Sequence, residues 1–210
     1  MSLLPLRTRL KWRCKMKLIV AVDKNWGIGK NNGLLFDLKA DMKHFVEHTR
    51  GKVVVMGANT LRSLPNGMPL KNRVNIVLNP DGDIMDAIEK GYVLTTSLDE
   101  LLEQVHAVKD NEVYVIGGAM MYHTLLPYCH TAYITKVDAD GEATVFHDNL
   151  DKLDNWTCTE VGEPIEDNGY TIRFCTYKNA NPVEFESTID LNKEHLHTIR
   201  AEQAFLNRNK

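Results

Sequence analysis

The sequence predicts an α/β fold built around a mainly parallel sheet, and three observations indicate it. Short apolar runs that suit strands buried on both faces, such as KLIVAVD at 17–23 and VVVMG at 53–57, recur along the chain. Segments of helical periodicity separate these runs, an alternation typical of parallel sheets. Near the end, strand-like runs at 156–161 and 170–177 lie on either side of Asp167-Asn168-Gly169, a hairpin signal that adds an antiparallel edge.

Eight strands follow from this pattern of apolar and β-branched residues. They are expected, in chain order, at 17–23, 53–57, 73–78, 91–95, 113–116, 131–137, 156–161 and 170–177. The 24–36 segment, which contains three glycines, is expected to be a loop. The cluster Asn79-Pro80-Asp81-Gly82 is expected to end the 73–78 strand in a turn.

Helices are expected at 39–49, 60–64, 98–108 and 119–126. The first is amphipathic, because Met42, Phe45 and Val46 have helical spacing. Ser97, followed by Glu100 three residues later, is a capping-box pattern at the start of 98–108. Pro127 ends the last helix, since proline cannot continue the backbone hydrogen bonding.

The composition excludes several classes of protein. With 210 residues, 43% hydrophobic and 25% charged, the chain is neither wholly disordered nor collagen-like nor a coiled coil. No apolar run approaches the ~20 residues of a membrane helix. A formal charge of -3 argues against a nucleic-acid partner. The four cysteines form no CxxC pair and no Cys/His cluster with zinc spacing, so we expect a reducing, cytoplasmic setting and no metal.

Three regions are expected. Residues 1–15 form a basic extension with Arg7, Arg9, Lys11, Arg13 and Lys15 and no acid; a start-site extension is favoured over a transit-like peptide or a contact with an anionic surface. Residues 16–179 form one α/β domain. Residues 180–210 form a tail in which 187–207 is either a docking helix or a frayed end, and His195 and His197 there lack metal-ligand spacing.

Two strand-to-helix junctions could hold a phosphate. Gly117-Gly118 follows a buried strand and opens a helix, and Met56-Gly57 with Thr60 repeats that arrangement. Glycines let backbone N–H groups approach an anion at a helix N-terminus. The full G-x-G-x-x-G fingerprint is absent, so a structural tight turn remains the alternative. Two such junctions in one sheet favour a dinucleotide across the strand ends.

Two charged residues are unusual. Asp41 lies on the apolar side of the 39–49 helix, next to Met42 and four residues before Phe45. It is either a favourable N-terminal helix charge or a carboxylate that grips a polar ligand in an apolar pocket. Arg73 begins a strand, where its guanidinium could bind a carboxylate or could be an ordinary surface charge.

Taken together, these residues resemble the dihydrofolate reductase family over about residues 16–178. The resemblance lies in the shared order and spacing of IVAVD at 19–23, WGIG at 26–29, LLF at 34–36, ADM at 40–42 with Phe45, VMG at 55–57 with Thr60, SLP at 63–65, PLKNR at 69–73, NIVL at 75–78, VIGGA at 115–119 with Tyr122, and YIT at 133–135 with Asp138. It implies an eight-stranded sheet with about four helices. It also implies hydride transfer from NADPH to 7,8-dihydrofolate, which supplies tetrahydrofolate to one-carbon metabolism.

The resemblance also implies roles for individual residues. Asp41 would bond the pterin N3 and 2-amino group, Thr135 would support that carboxylate, and a water admitted near Leu34 would protonate N5. The substrate pocket would be lined by Val20, Ala21, Met42, Phe45, Leu64 and Leu70, with Arg73 on the α-carboxylate of the glutamate tail. The cofactor would be held by Ala21, Ile28, Gly29, Gly57, Ala58, Thr60, Leu78, Asn79, Ile116, Gly117, Gly118, Ala119, Met120 and Tyr122. A cis peptide is expected at Gly117–Gly118.

Several positions depart from the family pattern. Phe36 replaces a tryptophan of the lid, the 24–36 loop that would close over the site. Ala58 and Met120 stand where basic residues often help to hold the cofactor phosphates, which weakens the expected preference for NADPH over NADH. The sequence Glu142-Ala143-Thr144 replaces Gly-Asp-Thr, so an acid that would pin the lid closed is expected to be missing. Val145-Phe146-His147 lacks the usual Phe-Pro ending.

Two rival functions are kept. One is a reductase of the same fold acting on another heterocycle, such as the aminopyrimidine of the riboflavin pathway; Asp41 together with Phe45, Thr135 and Arg73 favours folate instead. The other is a non-catalytic protein that binds a ligand and uses residues 180–210 for a partner. A monomer is expected, with a tail-mediated oligomer as the alternative.

Overall fold

A nine-stranded sheet carries the fold in the structure, a computed structural model that describes residues 8–12, 16–108 and 112–189. The strands are β1 Thr8–Trp12, β2 Met16–Val22, β3 Gly27–Gly29, β4 Val53–Gly57, β5 Val74–Leu78, β6 Val93–Thr95, β7 Val113–Gly117, β8 Thr131–Val137, β9 Val145–Phe146, β10 Trp156–Val161, β11 Ile165–Asp167, β12 Tyr170–Asn179 and β13 Phe185–Ile189. The α-helices are α1 Lys39–Thr49, α2 Ala58–Ser63, α3 Ile84–Lys90, α4 Leu98–Ala107 and α5 Ala119–Leu125.

The sheet is parallel through most of its width, which confirms the predicted fold class. Eight strands follow the order β10-β12-β8-β2-β7-β4-β5-β6, and β11 pairs with β12 beside that path. All pairs from β8 to β6 are parallel, whereas β12 pairs antiparallel with β8, β10 and β11. The carboxyl ends of β2, β4, β5, β7 and β8 therefore lie along one edge of the sheet.

The sheet is buried on both faces. Along β4, Val53 and Val55 pack into one hydrophobic cluster, while Val54 and Met56 pack into a second cluster. Alternate residues of a strand point to opposite faces, so the two clusters lie on the two sides of the sheet. Burial of each such side chain contributes roughly 1.5–3 kcal/mol, and this explains why β4 and β7 consist almost wholly of apolar residues.

Helix α3 was not predicted, and it raises the number of described α-helices from about four to five. Its ends carry ordinary signals, because the Asp83 side chain accepts a hydrogen bond from Met85 N and Gly91 ends it in the left-handed region at φ 73°. Its apolar residues Ile84, Met85 and Ile88 are exposed. Because these apolar side chains face solvent, their spacing does not show which side of the helix packs on the core. The segment was therefore missed, and only the turn cluster at 79–82 before it was predicted.

Strands β1 and β13, from the two ends of the described residues, form a separate antiparallel ribbon. The segment 187–207 was expected to be a docking helix or a frayed end, and its first residues, 187–189, are strand. The rest of that segment, with His195 and His197, lies outside the described residues. The backbone of β1 pairs with β13, which satisfies part of the hydrogen bonding of each strand. Among the helices of the described residues, none has the length and apolarity to cross a bilayer.

Candidate active site

Asp41 lies in the first turn of α1, and the residue as a whole is half-buried. The Thr135 hydroxyl donates a hydrogen bond to it. Burial raises the pKa of Asp41, the hydrogen bond from Thr135 opposes that rise, and the charge of Asp167 adds to it. An acid with a raised pKa beside a buried hydroxyl is a candidate for binding a polar, nitrogen-rich ligand.

The sheet register places Thr135 next to this acid. Thr135 is buried on β8, and its Cα is paired with Ala21 of β2 in parallel register. Val20 precedes Ala21 and both are half-buried near the carboxyl end of β2. The chain thus brings Ala21 and Thr135 together, as the resemblance implied.

Apolar side chains from three segments form one wall near Asp41. Phe45 of α1, Leu64 after α2 and Leu70 before β5 are half-buried and pack against the same hydrophobic cluster. Met42 is more exposed, at 48% of its side-chain surface. These four residues provide a surface suited to an aromatic ligand.

Arg73 closes the far end of this wall. It is only 7% exposed, Nε donates to Thr49 Oγ1 at 2.9 Å, and one terminal nitrogen donates to the Lys71 carbonyl at 2.8 Å. Its guanidinium lies 5.7 Å from the centre of the Phe45 ring. Burial lowers the pKa of Arg73, and the charge of Arg50 lowers it further. No carboxylate of the described residues lies within ion-pair distance of Arg73, so its guanidinium can bind the carboxylate of a ligand.

The two glycine junctions meet at the carboxyl edge of the sheet. Gly57 precedes α2 and Gly118 precedes α5, and neither helix has a side-chain cap. The Gly117–Gly118 peptide is cis, as expected from the resemblance. Gly117 has φ +139°, and a Cβ there would lie 2.9 Å from Thr60 Oγ1. Only glycine leaves this space open, so the residues present fit a dinucleotide whose phosphates approach the backbone N–H groups.

The remaining predicted cofactor residues lie along or near this edge. Tyr122 is buried, its hydroxyl donates to the Ile19 carbonyl at 2.9 Å, and burial raises its pKa. Met120 is 75% exposed and Ala58 is half-buried, and neither supplies a charge. The others are half-buried or, for Gly29, buried: Ile28, Gly29, Leu78, Asn79, Ile116 and Ala119.

The lid is anchored at several points. The lid strand β3 pairs with β9, which lies outside the lid. Asp23, just before the lid, accepts hydrogen bonds at Oδ1 from the N–H groups of Asn25 and Gly27. Lys30 forms an ion pair with Glu142 at 2.8 Å. The lid therefore has an acidic partner, although the residue at 143 is alanine. Leu34 is 74% exposed, so the structure does not pack it against Asp41.

Sequence reasoning missed two buried polar residues of this region. Asp167 Oδ2 accepts a hydrogen bond from Ala40 N at 2.6 Å, at the start of α1. His147 is buried between Trp26 and Tyr122, with ring centres 6.0 and 5.0 Å away. Only the turn signal after Asp167 was visible in the sequence, and it gave no hint of this contact. In the described ranges no group of three or more His, Cys, Asp or Glu side chains could hold a metal.

Comparison with known proteins gives a consistent family. A family model described as dihydrofolate reductase matches residues 15–179. The dihydrofolate reductase of Bacillus subtilis (strain 168) is 34% identical over 170 residues, which covers 79% of this chain and 95% of that protein. That of Heliothis virescens is 33% identical over 150 residues, 66% of this chain and 81% of its own. A solved structure of the Enterococcus faecalis dihydrofolate reductase, complexed with NADP(H) and RAB-propyl, superposes with a TM-score of 0.69 at 26% identity, covering 81% of this chain and 99% of that one.

Proposed function

The chain belongs to the dihydrofolate reductase family, and from that premise we propose that it reduces 7,8-dihydrofolate to 5,6,7,8-tetrahydrofolate with NADPH. The observation that carries this proposal is the carboxylate of half-buried Asp41, hydrogen-bonded by Thr135 beside an apolar wall that ends at Arg73. That set matches a substrate with a flat, nitrogen-rich ring, an aromatic linker and a terminal carboxylate.

Asp41 binds and orients the pterin in this mechanism. Its two carboxylate oxygens accept hydrogen bonds from the pterin N3–H and 2-amino group, and Thr135 holds the carboxylate in place. Because burial raises the pKa of Asp41, a ligand that donates two hydrogen bonds to the carboxylate favours its ionised form. The ionised carboxylate then polarises the pterin ring, and in a site of low dielectric this polarisation is an electrostatic contribution to catalysis.

Arg73 fixes the opposite end of the substrate. The contacts to Thr49 and the Lys71 carbonyl hold the guanidinium, while part of its donor fork remains for a carboxylate. A bidentate pair with the α-carboxylate of the glutamate tail anchors the substrate in the pocket. This contact is made equally in the ground state and in the transition state, so it contributes to substrate affinity rather than to the rate of hydride transfer.

The glycine junctions and Thr60 are proposed to hold the cofactor. The N–H groups that follow Gly57 and Gly118 are free of side-chain caps and can donate to phosphate oxygens. When bound, the reduced nicotinamide supplies the hydride that the protein itself lacks. The buried Tyr122 hydroxyl, held by the Ile19 carbonyl, fixes the side of α5 that faces this edge.

The lid and its exposed Leu34 are proposed to control water. Asp41 binds the far side of the pterin, so N5 takes its proton from a water admitted beside Leu34. The β3–β9 pairing and the Lys30–Glu142 ion pair hold residues 27–30 of the lid near the domain, while residues 31–34 remain exposed. Lid opening can then exchange ligands without loss of the site.

We further propose the setting in which this activity occurs. Residues 16–179 form the catalytic domain, with residues 1–15 and 180–210 as extensions. The chain acts in the cytoplasm as a monomer without a nucleic-acid partner, consistent with its near-neutral charge and its lack of a disulfide among the described residues.

A rate assay on the purified full chain tests the proposal. Dihydrofolate is mixed with NADPH, and with NADH in parallel, and loss of the reduced nicotinamide absorbance is followed. Asp41→Asn is expected to lower turnover about 100-fold or more, the usual loss when a transition-state contact is removed. Asp37→Asn, an exposed acid just before α1, is the matched control and is expected to keep full activity. Absence of turnover with either cofactor, or full activity in Asp41→Asn, would refute the proposed function.

A further inference from the structure

Cys158 and Cys175 lie together on neighbouring strands, on the face of the sheet opposite to the Thr135 side chain. We propose that they form a redox-sensitive dithiol, which a small-molecule disulfide converts into an intramolecular disulfide. The two residues are far apart in sequence, and nothing in the spacing of the four cysteines indicates this pair. The proposal does not depend on the function proposed above.

The strand register brings the two side chains to one face of the sheet. Cys158 of β10 is opposite Tyr177 of β12, and Cys175 lies two residues before Tyr177. Residues two apart on a strand point to the same side, so Cys158 and Cys175 are diagonal neighbours across the pair. Both side chains pack against the same hydrophobic cluster as Tyr177.

A bulge shifts the register at this point. Cys158 pairs with Tyr177, but the next pairs are Glu160 with Thr176 and Val161 with Cys175, so Thr159 is extra. A bulge bends the strand and increases its local twist. The extra residue therefore changes how β10 aligns with β12 next to Cys158, while the pairing of β12 with β8 stays regular.

The two thiols already interact. Cys175 forms a side-chain hydrogen bond with Cys158, and the Cys158 thiol donates to the Glu160 carbonyl at 3.4 Å. Both are free cysteines in this structure. Cys175 is only 4% exposed, whereas Cys158 is half-buried and open to a small reagent. Burial raises the pKa of Cys175, which makes it the less reactive of the two toward a reagent in solution.

The accessibility of the thiols sets the order of the exchange steps. The Cys158 thiolate attacks one sulfur of the small disulfide, forms a mixed disulfide and releases the first small thiolate. Cys175 then gives its proton to solvent and attacks Cys158 Sγ, which forms the Cys158–Cys175 bond and releases the second small thiolate. The two protein thiols are oxidised, and the small disulfide is reduced to two thiols.

The bond would tie β10 to β12 and close the chain between the two cysteines into a loop. A cross-link of that loop length restricts the unfolded chain and is expected to raise the melting temperature by about 5–10 °C. The active-site residue Thr135 pairs with Phe174, whose side chain alternates with that of Cys175 and points to the opposite face. Activity is therefore expected to stay within about twofold, because the two thiols and the Thr135 side chain lie on opposite faces of the sheet.

Peptide mapping of the full chain tests the pair directly. The reduced protein is treated with oxidised glutathione, quenched with an alkylating agent and digested with trypsin. Cleavage after Lys152, Arg173 and Lys178 separates Cys158, in 153–173, from Cys175, in 174–178. The expected result is a species that links these two peptides, disappears on reduction and accompanies a higher melting temperature.

Matched variants separate this pair from other thiol chemistry. Cys175→Ser is expected to accumulate glutathione on Cys158, because the second thiol is gone, and Cys158→Ser is expected to leave Cys175 unmodified. Cys129→Ser, a buried cysteine outside the pair, is expected to form the linked peptides as the parent chain does. Stable glutathione on Cys158 in the parent chain, or no change at either residue, would overturn the proposal.

Discussion

Replacement of Arg73 by leucine tests how the proposed pocket holds its substrate. Arg73 is buried, is held by Thr49 and the Lys71 carbonyl, and has no carboxylate partner within ion-pair distance among the described residues. In the free protein this buried charge is therefore a cost of desolvation that a substrate carboxylate would offset. Arg73→Leu keeps an apolar side chain beside Phe45 and removes the guanidinium together with its hydrogen bonds to Thr49 and the Lys71 carbonyl.

The size of the effect follows from the contact that is lost. A hydrogen bond to a charged group contributes about 1.5–3 kcal/mol. At about 1.4 kcal/mol for each factor of ten, the KM for dihydrofolate should rise roughly 10- to 150-fold. The kcat should change little, because Arg73 lies at the end of the pocket away from Asp41 and binds ground state and transition state alike. Stability should be kept or raised, since a buried charge is replaced by an apolar group.

Steady-state kinetics with two substrates makes the test specific. Arg73→Leu should raise the KM for dihydrofolate but leave kcat/KM unchanged for a dihydropterin that lacks the benzoylglutamate tail. Arg173→Leu, an exposed arginine of β12, is the matched control and should affect neither substrate. An unchanged KM for dihydrofolate, or an equal loss with the shortened substrate, would refute the role given to Arg73.

Three further predictions concern the acid and the cofactor edge. Burial raises the pKa of Asp41 above its unfolded value, so the contribution of Asp41 to stability is lost as pH rises through the folded pKa. Asp41→Asn should therefore unfold at a higher urea concentration than the parent chain at neutral pH, and the difference should vanish near pH 4. A lower urea midpoint for Asp41→Asn at neutral pH would contradict this. Gly117→Ala, at φ +139° and against Thr60, should weaken NADPH binding by at least about tenfold in a fluorescence titration, and unchanged binding would exclude this cradle. Ala58→Arg should raise the affinity for NADPH over NADH by about tenfold, the usual worth of a charge-assisted contact to phosphate, and equal gains for both cofactors would refute the assignment.

The sequence was sufficient to predict the bounds of an element where the apolar periodicity lies within that one segment. The 39–49 helix and the strands at 53–57, 131–137 and 156–161 have the predicted bounds. In each case the period of apolar residues matches the faces that the fold buries. Thr135 lies on the predicted strand, and Arg73, which was expected to begin a strand, lies directly before β5. The roles given to both residues stay predictions.

What the sequence could not predict depends on contacts between distant segments. Ala40 and Asp167 are hydrogen-bonded across 127 positions, and the lid is fixed by pairing of β3 with β9. No local period reports either contact, since each involves a short segment without a core face of its own. The loss of an acid at 143 was visible, but the Lys30–Glu142 pair that provides another one was not, because it depends on how two loops meet.

Two explanations of Asp41 were open from the sequence, and the contacts of Asp41 and Asp167 favour one of them. A carboxylate in the first turn of a helix can stabilise the helix by accepting from its free N–H groups. Here a different acid does this, because Asp167 accepts the hydrogen bond from Ala40 N. Asp41 instead takes its hydrogen bond from Thr135 across the site, and burial raises its pKa. The charge of Asp41 is disfavoured where the residue lies, and Asp167 bonds the helix start in its place. Both observations support the proposal that a ligand pairs with Asp41.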